Sequence, residues 1–168
     1  LSDTGPVAFS SPVAHTLGRN QWWLAGGHYS FNEDPVFTRA RGNWALFHTY
    51  GATLGRVNAA LTHMVVTEKP DHAFNLQLQY IPPEGSKLVL SGGVQNFTGD
   101  IKSTALDKQE AISFFGVATY RVDGARAPLY VSLGIGTRRF RTLFGAASYE
   151  VLPKLRLWAE HGTFDVNA

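Results

Sequence analysis

Leu129-Tyr130-Val131-Ser132-Leu133-Gly134-Ile135-Gly136 places Leu, Val, Leu and Ile on one parity and Tyr, Ser and two glycines on the other. Successive side chains of an extended strand point to opposite sides, so this period of two specifies a strand with two unlike faces. Phe74, Leu76, Leu78 and Tyr80 interleave with Asn75, Gln77 and Gln79 in the same way. Segments of this kind, about ten residues long, recur along the chain without a sustained helical period, which predicts an antiparallel barrel.

Working outward from this stretch, the strand candidates are Asn20–Phe31, 43–54, 56–66, 72–81, 87–98, 109–122, 127–137, 142–151 and 154–162, with Asp165 to Ala168 opening a tenth. Residues 1–18 are punctuated by Ser, Pro and Gly and read as an extended lead-in. Pro82-Pro83-Glu84-Gly85 and Asp123-Gly124 are strong turn signals, and Pro153 interrupts any ladder between 151 and 154. Helix formers at 105–111 allow one short helical turn in the loop before the sixth strand. Short connections at 55, 82–86, 123–126 and 152–153 alternate with longer ones at 32–42, 67–71, 99–108 and 138–141. In an up-and-down barrel, short turns then gather at one end and long loops at the other, as in outer-membrane barrels.

A chain of 168 residues suffices for one domain, 1–168, and no low-complexity or charged stretch divides it. A net charge of +2 with dispersed Lys and Arg, and no RNA-binding aromatic motif, argues against a nucleic-acid partner. Seventeen glycines and 12% aromatics suit a strand-rich protein. The absence of Cys is compatible with passage through an oxidising compartment. No apolar run reaches the roughly 18 residues of a membrane helix, a test to which transmembrane strands are invisible. No signal peptide opens the chain, so an exported protein would be represented by its mature form, with Leu1 not its native start.

Alternation alone does not say which face is wet. The non-apolar parity holds Ser91, Gly93, Gln95, Ser113, Thr119, Ser132, Gly134, Gly136, Ala146 and Ser148, small or neutral residues where a soluble surface would carry Lys and Glu. Charged residues make up 17% of the chain, below the roughly 25% of soluble proteins, and many sit in expected loops. Both features favour an apolar face turned to lipid. The lumen would then be lined by Asn75, Gln77, Gln79, Gln95, Arg121, Arg156 and Glu160, since a charge facing lipid costs about 2–4 kcal/mol near the midplane. Trp22, Trp44, Tyr80 and Tyr149 are candidates for interfacial belts, a role that packing explains equally well.

The last quarter runs Arg139-Phe140-Arg141-Thr142-Leu143-Phe144-Gly145-Ala146-Ala147-Ser148-Tyr149-Glu150-Val151, Leu152-Pro153-Lys154-Leu155-Arg156-Leu157-Trp158-Ala159-Glu160 and Asp165-Val166-Asn167-Ala168. It resembles the YjbH-like family of bacterial outer-membrane β-barrels associated with exopolysaccharide production. Gly18-Arg19-Asn20-Gln21-Trp22-Trp23-Leu24-Ala25-Gly26-Gly27-His28-Tyr29 fits an opening strand of such barrels. The resemblance covers the ends better than the middle and rests on structural residues. It implies an outer-membrane location, contact with lipid and lipopolysaccharide, and a structural, assembly or polysaccharide-export role without chemistry of its own. Such barrels finish on a complete strand with a terminal aromatic, whereas this sequence stops at Ala168. The expectation is a barrel incomplete at its C-terminus, closed by further strands, another envelope protein or another chain.

Candidate sites are sparse. Arg138, Arg139 and Arg141 form the densest basic cluster, suited to lipopolysaccharide phosphates or an anionic polysaccharide, against the plain reading of a solvated loop. His28, Glu33, Asp34, His63, Asp71, His72, His161 and Asp165 come near the long-loop rim, but no spacing among them specifies a catalytic base or nucleophile. His63, Asp71 and His72 are too scattered to specify a metal site. Gly134-Ile135-Gly136 lacks the third glycine and helix of a nucleotide loop. Gly42-Asn43-Trp44 falls on the second strand rather than on the first, where lipocalins carry Gly-x-Trp, and Asn96-Phe97-Thr98 is a sequon of little meaning in a bacterium. No enzyme activity, cofactor or metal is expected. The alternatives are a soluble calycin-like carrier whose apolar row lines a ligand cavity, and a rim-active hydrolase using His63 or His161.

Overall fold

In a computed structural model of the chain, the described residues are 12–28, 44–66, 71–98, 112–124, 127–140, 142–152, 155–161 and 166–167. They form a single antiparallel sheet in strict chain order. Its strands are β1 (Trp22–His28), β2 (Trp44–Leu54), β3 (Val57–Val66), β4 (Asp71–Tyr80), β5 (Leu88–Gln95), β6 (Ser113–Val122), β7 (Leu129–Gly136), β8 (Thr142–Leu152), β9 (Leu155–His161) and a two-residue β10 (Val166–Asn167). The helical turn expected at 105–111 lies outside the described residues. A 3-10 turn at Arg138–Phe140 joins β7 to β8, with Arg138 at φ 51°.

The turns follow the sequence signals. Gly55 and Gly85 take φ of 61° and 81°, the left-handed region that lets a short connection reverse the chain without a Cβ clash. Register passes continuously across the sheet, with Leu54 opposite Val57, Tyr80 opposite Leu90 and Val122 opposite Leu129. Between β8 and β9 it shifts near Glu150 and Leu152, beside Pro153.

The expected antiparallel strands are present, but the sheet they form is open and does not close into a barrel. Among the described residues no pairing joins β1 to β9 or β10, and β10 meets β9 only through Val166 and Asn167. Trp23 and Trp158, paired with the inward-facing Thr49 and Ser148, remain exposed on the first and ninth strands.

The two faces are inverted relative to a soluble β-sheet, in which the apolar set packs inward. One face buries Thr49, Gln79, Ser113, Thr119, Ser132, Ser148 and Glu160. The other exposes Leu54, Leu78, Leu90, Phe114, Leu133, Ile135, Leu143 and Leu157, with Leu133 at 59% and Ile135 at 62%. Burial alternates residue by residue along β7, as the period of two requires. Polar burial is possible because the side chains pair across strands: Thr49 with Thr62 at 2.8 Å, Gln77 with Ser91 at 2.9 Å and Thr119 with Ser132 at 2.7 Å.

The inner face also holds a small apolar cluster in which Ala14, Val89, Val117, Phe140 and Phe144 pack together, with Phe115 against them. Val89, Val117 and Phe144 come from β5, β6 and β8, so the sheet curls around the segment that carries Ala14.

Candidate functional site

The site with the most built structure is the inner face and the segment crossing it. Residues 12–19 enter no β-ladder; they are held by side chains that project from the sheet. Gln77 Nε2 donates to the carbonyl of Val13 at 2.6 Å, Ala14 N–H donates to Thr119 Oγ1 at 2.9 Å, and Thr16 N–H donates to Gln79 Oε1 at 2.8 Å. Arg19 N–H donates to Thr53 Oγ1 at 2.8 Å, and Thr53 in turn donates to Asn58 Oδ1. The His15 ring meets Tyr130 edge-on, with centroids 5.8 Å apart. Thus β2, β4, β6 and β7 all contact one short strap.

Gly51 shows how closely the strap lies. A Cβ built at this position of β2 would collide with the carbonyl oxygen of Gly18 and the Cβ of Leu17. The strap is then led into β1 by Asn20 at φ 59° and by Gln21, whose Oε1 accepts from Gly18 N–H at 2.7 Å.

The residues expected to line a lumen distribute as follows. Asn75, Gln77, Gln79 and Gln95 share the inner parity of β4 and β5, where Asn75 Oδ1 accepts from Asn96 N–H at 2.8 Å. Glu160 is buried on β9, opposite Ala146. Arg121 has inner parity but reaches the short-turn rim, where its Nε lies 2.9 Å from Asp123. Arg156 pairs in register with Glu150, and its side chain lies outside the described residues.

At that rim Lys87 and Arg121 converge on Asp123, Lys87 Nζ also at 2.9 Å. The hydrogen bond from Lys87 holds the Asp123 carboxyl below the ordinary carboxylate range, and the same bond raises Lys87. The triad ties the β4–β5 turn to the β6–β7 turn, with its side chains about half exposed to solvent.

Of the basic cluster, Arg138 is exposed on the 3-10 turn; the Arg139 side chain and Arg141 lie outside the described residues. Glu33, Asp34 and Asp165 also lie outside them, as do the side chains of His28 and Asp71. His161 ends β9, exposed, opposite Gly145. Trp22, Tyr80 and Tyr149 are exposed on the outer face, and the Trp44 side chain is not among those described.

His63 and His72 do come together. Their rings stack with centroids 5.1 Å apart, and Nε2 of His63 lies 2.8 Å from Nδ1 of His72, so one N–H donates to the other ring's lone pair. His63 also stacks on Phe74, and His48 sits directly opposite it on β2. This cluster projects from the outer face. Among the described residues no group of three or more His, Asp or Glu could hold a metal ion.

Sequence reasoning missed the strap. Its only trace there is a lead-in without periodicity, facing strands whose inward residues are amides and hydroxyls. The apolar row that a calycin-like carrier would wrap around a ligand lies instead on the outer, exposed face.

Comparison with models of protein families, with curated proteins and with solved structures finds no match to this chain.

Proposed function

We propose that this chain is part of a bacterial outer-membrane β-barrel whose outer face meets lipid, with a structural, assembly or polysaccharide-export role and no chemistry of its own. The observation that carries the reading is the inversion of the two faces. Large aliphatic and aromatic side chains stand exposed in alternate positions, while Thr, Ser, Gln and Glu are buried opposite them. A contiguous exposed apolar surface of this kind calls for a partner, and lipid is the one that accepts it along every strand.

Among the described residues, the open edge at β1 and the stretch of β9 that the two-residue β10 leaves uncovered fit completion by further strands or by another envelope chain, since unpaired backbone groups inside a bilayer are costly. The YjbH-like resemblance of the ends points to the same compartment and to exopolysaccharide production. Arg138, Arg139 and Arg141 are the residues for contact with lipopolysaccharide phosphates.

The test is migration of the membrane-extracted protein on a gel before and after boiling. The proposal expects fractionation with outer membranes and two mobilities, folded and unfolded. Recovery in the detergent-free soluble fraction with a single mobility would overturn it.

A further inference from the structure

We propose that the inner face is an acceptor site for a polypeptide segment that bends at a small central residue, and that residues 12–19 fill it in cis as a displaceable strap. The site recognises backbone. Val13 C=O, Ala14 N–H, Thr16 N–H and Arg19 N–H are met by Gln77, Thr119, Gln79 and Thr53, amide and hydroxyl side chains that supply both donors and acceptors. Main-chain groups are common to all polypeptides, so these contacts fix a backbone path, bent at Ala14, rather than a sequence.

Selectivity comes from one position. Ala14 is completely buried against Val89, Val117, Phe140 and Phe144, and Thr119 beneath it has no exposed surface. That pocket fits a methyl group and excludes a large side chain. Neighbouring positions are less enclosed, with His15 and Thr16 only partly buried.

Displacement is feasible because the strap belongs to no ladder and is held by neutral hydrogen bonds from separate strands. Sheet pairing from β1 to β9 runs without any contribution from residues 12–19, so the sheet's own ladder can persist when they leave. A free peptide able to follow the same bent path would then find the same donors and acceptors already positioned. The proposal goes beyond the membrane reading, because it concerns the inner face whatever surrounds the outer one.

The chain has no Cys, so Ala14→Cys creates a unique reporter of strap release. In the refolded full chain in detergent, maleimide modification of this thiol is expected to run roughly a hundredfold slower than in urea. Combining it with Thr119→Val and Gln79→Met should accelerate modification roughly tenfold, reflecting two lost hydrogen bonds. A synthetic peptide of residues 12–20, added at about 10 mM to exceed the effective concentration of the tethered strap, should accelerate modification roughly threefold or more. The same peptide carrying Ala14→Trp should have no effect. Thr16→Cys provides a second reporter should Ala14→Cys perturb folding. Modification as fast as in urea, or a rate indifferent to the unmodified peptide, would overturn the proposal. Neither result bears on membrane insertion, which boiling-dependent migration reads separately.

Discussion

Thr119 Oγ1 and Ser132 Oγ lie 2.7 Å apart across β6 and β7, and the same Thr119 oxygen accepts the amide hydrogen of Ala14. Accepting from the strap leaves the Thr119 hydroxyl hydrogen able to donate to Ser132, so one buried oxygen links two strands and the strap. Thr119→Val keeps the shape and removes both functions. It should lower unfolding free energy in detergent by about 1–3 kcal/mol, the cost of buried polar groups left without partners, while Thr119→Ser recovers most of it. A denaturant midpoint unchanged by Thr119→Val would show that the link contributes nothing.

Packing on the inner face gives a second prediction. A Cβ added at Gly134 on β7 would run into the ring of Phe144, which is 1% exposed. Gly134→Ala should therefore cost about 1–3 kcal/mol through overpacking. Phe144→Leu in the same chain should return part of that loss, a coupling that a double-mutant cycle reads directly. Strictly additive effects would contradict the contact.

The strands, their order and most turns are legible in the sequence because each is written locally. Pro82-Pro83-Glu84-Gly85 stops one strand and starts another, and the alternation at 129–136 assigns each residue its face. Closure is a different matter, since it depends on pairing between β1 and the far end of the sheet, which no local pattern encodes. The strap was hidden for a similar reason: its bonds to Gln77, Gln79 and Thr119 span sequence separations of 63 to 105 residues. Gly51 reads as an ordinary strand glycine until Leu17 and Gly18 are found above it. The sequence puts His63 and His72 on either side of one long connection, but their joint projection from the outer face follows only from the register of β3 against β4.

The rim triad gives a pH prediction. Asp123 titrates below its ordinary value because Lys87 bonds its ionised form. Its contribution to stability is thus fully present above the ordinary carboxylate range and is lost as acid takes the pH down through the depressed value. Exposure keeps the effect small. In an NMR titration of the Asp123 carboxyl, Lys87→Met should move the midpoint upward, and an unmoved midpoint would show that the hydrogen bond does not persist in solution.

Charge placed on the outer face should be costly only in lipid. Leu133→Arg on β7, refolded into phospholipid vesicles, should lose about 2–4 kcal/mol if the position lies near the bilayer midplane. On a water-exposed surface the same change would be nearly neutral. Equal stability of wild type and Leu133→Arg in vesicles would count against the lipid-facing assignment.

The assignment of the two faces is tested most directly by site-directed spin labelling at Tyr130, Val131, Ser132, Leu133 and Ile135, each replaced in turn by a single Cys and labelled in vesicles. Collision rates with oxygen, which partitions into lipid, and with a water-soluble nickel chelate are compared at every site. High oxygen and low chelate accessibility is expected at 131, 133 and 135, alternating with low oxygen accessibility at 130 and 132. High chelate accessibility at 131, 133 and 135 would place that face in water and rule out a lipid-facing outer surface.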